Sequence, residues 1–381
     1  MKPILRFQAF ENDWKKDKLN NLGDFTSGGT PLKSNLDYWN GDIPWITTGD
    51  IANLRKENID NFITEKALEE SSAKLIENRA ILIAMYGQGK TRGMSAILNF
   101  NAATNQACAI FQTDFDINFV YYFFQKSYKY IRSLSNEGSQ KNLSLTLLKE
   151  IQLNYPSKME QKKIGEFFSK IDRQIELEEQ KLAKLEEQKK GYMQQIFSQE
   201  LRFKDENGEK FSDWQTITLG QLSDIKTGSL DANAMVPNGK YKFFTCARET
   251  YQIDKYAFDT EALLISGNGA NVGYIHYYKG KFNAYQRTYV LDNIQNDINF
   301  IKYYLERYLI KRIYSEKRDG NTPYITRSTL YDMSISIPLA KLEQNKIGNF
   351  FTKFDELIEK QNQKIDGLKK RKQGFLQKMF V

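Results

Sequence analysis

Cysteine and histidine are almost missing from this sequence: two thiols, Cys108 and Cys246, and one imidazole, His276, in 381 residues. Two distant cysteines in a large chain make neither a disulfide framework nor a thiolate metal cluster. A single histidine leaves zinc without a ligand set and histidine-based catalysis without a partner. Proline is scarce and never doubled, so the Asn/Asp-Pro-Pro-aromatic motif of amino-methylating DNA enzymes is absent. No acidic and lysine constellation suggests a nuclease. No apolar run approaches the ~18 residues of a membrane span, and Met1 to Gln8 lack the apolar core of a signal peptide. The expectation is a soluble, cytoplasmic, non-catalytic protein with no membrane partner, no metal and no cofactor.

What is present is positive charge, with a formal net of +8 and a pI near 9.0, which favours a polyanionic partner because neutralised phosphates release their counterions. Hydrophobic residues make up 40% of the chain, and single cores stop growing near ~250–300 residues, so two or more domains are expected.

The chain is written twice. Glu160-Gln161-Lys162-Lys163-Ile164-Gly165-Glu166-Phe167-Phe168 returns as Glu343-Gln344-Asn345-Lys346-Ile347-Gly348-Asn349-Phe350-Phe351, and the match runs on through Asp172 and Asp355, Lys189 and Lys372, Gly191 and Gly374, to Phe197 and Phe380. Each copy follows a strand-like stretch closed by Pro156 or Pro338. Ahead of each globular region stands a lead element, Leu5-Arg6-Phe7 with Trp14 and Leu201-Arg202-Phe203 with Trp214. The globular regions share only a skeleton: Ile81-Leu82-Ile83 before Gly87, Gly89 and Gly93, and Leu263-Leu264-Ile265 before Gly267, Gly269 and Gly273. Similar frameworks with different faces suggest one task performed on two targets.

In the repeated segment Ile171, Ile175, Glu178, Leu182, Leu185, Lys189, Tyr192 and Ile196 fall at alternating steps of four and three, as do Phe354, Ile358, Gln361, Ile365, Leu368, Lys372, Phe375 and Met379. This is heptad spacing, and a helix of ~38 residues spans ~57 Å. Antiparallel pairing is expected with Glu178 near Lys372, Lys189 near Gln361 and Leu182 opposite Leu368; a shift of one heptad is the alternative. The repeat also places the chain termini side by side, as Phe197 lies beside Leu201.

Gly89-Lys90-Thr91 invites a nucleotide-binding reading, but a P-loop needs a glycine where Ala84 stands, and both glycine triplets miss the dinucleotide spacing by one residue. They read instead as tight turns that let backbone approach a ligand. Amides and guanidinium groups can read adenine and guanine in the major groove, while Lys, Ser and Thr more often hold phosphates. On that basis the candidate DNA contacts are Thr47, Thr48, Gln88, Lys90, Arg92, Asn105, Gln106, Gln140, Lys141 and Asn142 in the first half. In the second half they are Arg248, Asn268, Asn271, Tyr285, Gln286, Arg287, Arg318, Asn321, Thr322 and Tyr324. Gln106, Gln286 and Arg287 are expected on bases and Lys90 on phosphate; each residue singly fits an ordinary solvated loop better, and it is their recurrence at equivalent places in two halves that raises the group.

Gly29-Thr30-Pro31, Tyr38-Trp39 and Gly41-Asp42-Ile43-Pro44-Trp45-Ile46-Thr47-Thr48-Gly49-Asp50-Ile51 resemble the opening of a target recognition domain in type I restriction-modification specificity subunits, and the helix at Gln161 to Phe168, repeated at Gln344 to Phe351, resembles that family's conserved spacer regions. The second half lacks the Ile-Pro-Trp-Ile stretch. The resemblance implies an α+β fold of two α/β-type target recognition domains, 1–156 and 199–338, separated by two long antiparallel coiled-coil helices, 157–198 and 339–381. Each domain would read one half of a split, asymmetric double-stranded DNA target. The helices would dock two modification (methyltransferase) subunits that bind S-adenosylmethionine themselves, with restriction (endonuclease/translocase) subunits joining the complex. Competing readings are the specificity chain of a related restriction enzyme with a different catalytic partner, a nucleotide-dependent enzyme, and a coiled-coil scaffold without base readout.

Overall fold

The computed structural model describes residues 2–87, 90–134, 142–316 and 322–381. The chain divides into two compact units, Met1–Glu179 with Gln363–Val381 and Gln180–Asn362. Both mix sheets with helices, in keeping with the expected α+β class.

The first unit contains β1 (Lys15–Lys18), β2 (Asp24–Ser27), β3 (Trp39–Ile46), β4 (Phe62–Ile63), α1 (Glu65–Glu70), β5 (Ala80–Ala84), β6 (Ser95–Leu98), β7 (Ala103–Thr104), β8 (Cys108–Gln112), α2 (Ile117–Ser133), α3 (Leu145–Lys149), β9 (Gln152–Tyr155) and the start of α4 (Lys158–Phe197). The strands order as β2-β8-β5-β6, β4-β3-β7 and β1-β9. The apolar run of β5 is buried throughout, one face against α2 and the other against Ile46, Ile51 and Cys108. Cys108 is thus an inert core residue whose thiol burial pushes upward, to about 12.

The second unit contains β10 (Gln215–Thr218), α5 (Leu219–Leu222), β11 (Asp224–Thr227), β12 (Tyr241–Phe244), β13 (Tyr251–Ile253), β14 (Phe258–Ser266), β15 (Ile275–Ala284), β16 (Thr288–Asp292), α6 (Ile298–Ser315), α7 (Arg327–Tyr331), β17 (Ser334–Ile337) and the first part of α8 (Lys341–Met379). Here one sheet runs β11-β16-β14-β15-β12-β13, with β10-β17 apart. Asp116 and Asp297 begin α2 and α6 by accepting from the amides of Phe119 (2.9 Å) and Phe300 (2.7 Å), satisfying donors that a helix start leaves open.

The repeated Glu-Gln-x-x-Ile-Gly motif has the same task in both units. Glu160 takes Arg6 of the first lead element at 2.7 Å, and Glu343 takes Arg202 of the second at 2.9 Å. Gln161 donates to Pro156 O and accepts from Asp116 N; Gln344 donates to Pro338 O and accepts from Asp297 N. Gly165 and Gly348 let the long helix meet the capped helix: an added Cβ would lie 2.3 Å from Asp116 Oδ1 or 2.4 Å from Asp297 Oδ1.

Within each unit α4 and α8 run antiparallel. In the first, Phe167 meets Phe375, Asp172 pairs with Lys372 at 2.6 Å and Glu178 with Lys364 at 2.5 Å. In the second, Lys189 pairs with Asp355 at 2.7 Å, and Tyr192 lies against Phe350 and Phe354. This corrects the expected register. Lys372 faces Asp172 rather than Glu178, and Lys189 faces Asp355 rather than Gln361, a slide of about one heptad. An apolar seam with a seven-residue period looks the same after such a slide, so the sequence pattern alone chose wrongly.

The expected meeting of the termini is present inside the first unit. Leu5 N donates to Lys378 O at 2.9 Å, the same bond that Leu201 N makes to Gln195 O at 3.0 Å along the continuous chain. Phe380 stacks on Phe119, as Phe197 packs on Phe300.

Candidate nucleic-acid interface

Four main-chain bonds recur in both units and gather the candidate residues. Asn105 N donates to Ile46 O (3.0 Å) and Tyr285 N to Phe244 O (2.9 Å); Met85 N donates to Ala107 O (2.9 Å) and Gly267 N to Arg287 O (2.8 Å). Leu143 N donates to Met85 O (3.0 Å) and Ile325 N to Gly267 O (2.8 Å), while Gly93 N returns to Ala84 O and Gly273 N to Ser266 O, each at 2.8 Å. Backbone bonds of this kind hold whatever the side chains are. They leave the side chains of the joined loops to vary.

In the first unit these bonds bring Thr47 and Thr48, Asn105 and Gln106, and Asn142 to the same strand ends. Gly29 N donates to Thr104 O at 2.8 Å, an approach possible because a Cβ on neighbouring Gly28 would stand 2.0 Å from that oxygen. Thr30 bonds Gln106 through its hydroxyl, and Trp45 Nε1 donates to Gly29 O at 3.0 Å. Thr47 donates through amide and hydroxyl to Asp50 Oδ2 at 2.7 and 2.8 Å, and Asn105 Oδ1 accepts from Ala107 N. Gln106 and Lys90 are exposed, and Tyr128 anchors the Lys90 carbonyl. Arg92 is engaged within the unit: its guanidinium donates to Arg132 O at 3.1 Å, a cation at the carbonyl end of α2.

In the second unit Arg248, Asn268, Asn271, Tyr285, Gln286, Arg287 and Tyr324 come together, with Thr322 two residues beyond. Gln286 N donates to Leu230 O (2.9 Å) and Asn271 Nδ2 to Cys246 O (3.1 Å). Asn268 bridges Tyr324, and the Arg248 guanidinium lies 5.4 Å from the Tyr274 ring centre. Arg248, Gln286, Arg287, Thr322 and Tyr324 are exposed. His276 bonds Ala247 O at 3.0 Å, and burial lowers its pKa against the raising effect of that bond. Gln88, Gln140, Lys141, Arg318 and Asn321 lie outside the described residues, as does Gly89.

Two correspondences read from sequence are corrected. Met85, not Gly87, matches Gly267, because both donate to the loop after the Asn/Tyr-Gln pair. Along the sequence eight positions separate Ala84 from Gly93, against six between Ser266 and Gly273. Gly93 and Gly273 do match, both at φ +81°. The Ile-Pro-Trp-Ile stretch also has a counterpart after all. β3 pairs in parallel with β7 through Trp45–Ala103 and Ile46–Thr104, and β12 pairs in parallel with β15 through Phe243–Asn283 and Phe244–Ala284. Phe243-Phe244-Thr245-Cys246 therefore stands where Trp45-Ile46-Thr47-Thr48 does. Partly exposed Thr30 and Cys246 join the candidate surface, while Thr245 is buried; of these only Thr30 had a signal, its place in the Gly-Thr-Pro turn.

A family model described as the type I restriction modification DNA specificity domain matches residues 11–187 and again 211–370. The type I restriction enzyme MjaIX specificity subunit of Methanocaldococcus jannaschii is 26% identical over 96% of this chain and 92% of its own length. The EcoDI specificity subunit of Escherichia coli is 47% identical over 126 residues, 33% of this chain but only 28% of that relative. A crystal structure of the type I restriction-modification S subunit from M. genitalium superposes over 100% of this chain and 99% of that one, at TM-score 0.67 and 18% identity.

Proposed function

Because this chain belongs to the type I restriction-modification DNA specificity family, we propose that its two globular regions, residues 1–156 and 199–338, each read one half of a split, asymmetric double-stranded DNA target. As a specificity subunit it recognises sequence and leaves catalysis to its partners. The helical regions 157–198 and 339–381 set the spacing and dock two modification subunits, which carry the methyl donor; restriction subunits join the complex.

The observation that carries the reading is one backbone scaffold built twice with different side chains on it. The same bonds present Asn105-Gln106-Ala107 in one unit and Tyr285-Gln286-Arg287 in the other. Gln106, Gln286 and Arg287 are assigned to base edges, where bidentate amide and guanidinium contacts discriminate, and Lys90 to phosphate. Docking on the helices is supported by Gly191 and Gly374, equivalent positions where an added Cβ meets nothing within 4 Å. A glycine inside a helix costs ~1 kcal/mol against alanine, and nothing among the described residues accounts for it.

The test is methylome sequencing of a host expressing the chain with its modification partner, before and after residues 201–337 are replaced by the equivalent segment of a relative. One half-site should change and the other persist. Change in both halves, or methylation without sequence preference, refutes the reading.

A further inference from the structure

The seam between α4 and α8 is apolar with a seven-residue period, so a slide of one heptad leaves apolar facing apolar and does not by itself define the register. Glu178 and Gln361 interrupt it at one level and two lysines at another. Lys189 and Lys372 are 16% and 13% exposed, and their ammonium groups meet Asp355 Oδ1 at 2.7 Å and Asp172 Oδ1 at 2.6 Å. Each ammonium also lies over a tyrosine ring from the capped helix of its unit, Tyr303 at 4.9 Å and Tyr122 at 5.2 Å. Each tyrosine hydroxyl donates to the other oxygen of the same carboxylate, at 2.7 Å for Tyr303 to Asp355 and 2.8 Å for Tyr122 to Asp172. In the second unit Glu306 and Lys302 extend the cluster, Glu306 to Lys189 and Lys302 to Asp355.

A covered ammonium deprived of its carboxylate is strongly disfavoured. A slide of seven residues one way sets Lys189 against Asn362 and Asp355 against Ile196; the other way, Lys189 meets Gly348 and Lys372 meets Gly165. Either slide also withdraws the aspartate from a tyrosine that α2 or α6 holds in place. The trio therefore joins three elements, and only one register satisfies both copies.

Resting on the reading of these helices as the spacer between half-site readers, we propose that Lys189–Asp355–Tyr303 and Lys372–Asp172–Tyr122 are specificity-determining trios that lock the helix register and so fix the length of the unread DNA between the half-sites. One heptad is ~10.5 Å, about three base pairs at ~3.4 Å each. A slipped register would therefore appear as a discrete change in spacer length.

Register is read by disulfide trapping in the full chain carrying Cys108→Ala and Cys246→Ser. Glu178→Cys with Lys364→Cys reports the observed register, and Glu178→Cys with Arg371→Cys reports one slid by a heptad. Trapping should occur only in the first pair. In the Lys189→Met/Lys372→Met double variant the second pair should rise to at least a tenth of the product, and methylation should spread to a second spacer length or fall at least tenfold. The Lys189→Arg/Lys372→Arg double variant should keep one register. If the methionine variant is insoluble, Tyr122→Phe/Tyr303→Phe, which preserves the packed rings, is trapped in its place and should also populate the slid pair. A single register in the methionine or phenylalanine variant overturns the proposal, as does loss of register in the arginine variant, since side-chain volume would then be decisive. If the register spreads while the methylated spacer stays single, the trios stand and the reading of the helices as half-site spacer fails.

Discussion

Replacing Gly165 by alanine tests whether the repeated motif exists for helix contact. The new Cβ would stand 2.3 Å from Asp116 Oδ1 and 2.9 Å from Asn118 Cβ, so α2 must retreat or Asp116 must release the Phe119 amide it caps. Overpacking of this kind costs about 1–3 kcal/mol, and losing the cap adds ~1 kcal/mol. The helix propensity of alanine returns ~1 kcal/mol. A net loss of about 1–3 kcal/mol in a unit of this size lowers its melting temperature by roughly 3–10 °C. Gly191→Ala, in the same helix with nothing within 4 Å, is the matched control and should stabilise by ~0.5–1 kcal/mol. Scanning calorimetry of both variants decides. If Gly165→Ala melts at or above the parent, or Gly191→Ala falls as far as Gly165→Ala, the close-contact account of the motif is wrong.

Gln286→Ala should lose ~1–3 kcal/mol of discrimination at one base position, while Lys90→Ala should weaken binding evenly across sequences and flatten its salt dependence; titrations against variant duplexes at several salt concentrations distinguish them, and no change in Gln286→Ala would return that residue to a framework role. Asp355 has a lowered pKa: burial acts to raise it, but hydrogen bonds from Lys189 and Tyr303 and the nearby ammonium charges prevail. A carboxylate held below its unfolded value of ~3.9 stabilises the fold above that pH and loses the contribution as pH falls through the depressed value. Thermal unfolding of Asp355→Asn should therefore fall less steeply than the parent below about pH 4, and parallel curves would refute it. A chain opened near Gln199, with its native ends joined by a short linker, should fold and keep sequence-specific methylation, because Leu5 already bonds Lys378 as Leu201 bonds Gln195; assembled protein with no recognition at either half-site would count against this.

What the sequence made legible was whatever depends on side-chain identity. The duplicated helix, its polar interruptions and the lead elements are all spelled out in residues that touch one another: Arg6 to Glu160, Arg202 to Glu343, Gly165 beside Asp116 and Gly348 beside Asp297. The register was not legible, because a heptad pattern repeats upon sliding and the selecting group, a tyrosine hydroxyl on a different helix, lies ~50 residues away in sequence from each aspartate. The match of Phe243-Phe244 to Trp45-Ile46 was hidden for a related reason. Parallel strand pairing is written in amides and carbonyls, which every residue but proline supplies alike.

That same indifference explains how the two candidate surfaces can diverge while their support does not. Where a loop is held by Met85 N to Ala107 O or by Gly267 N to Arg287 O, its side chains are relieved of structural work and can change without loosening the fold. Where a position is held by its side chain, as Arg92 is by Arg132 O or Thr47 by Asp50, a change at the surface also costs stability. The division falls inside the candidate set itself. Exposed Gln286 and Arg287 project from a loop anchored by backbone, and it is at such positions that a change of target can occur with the scaffold intact, whereas Gln106 is also held through its side chain by the Thr30 hydroxyl. Arg92 and Thr47 are tied into the fold that presents them.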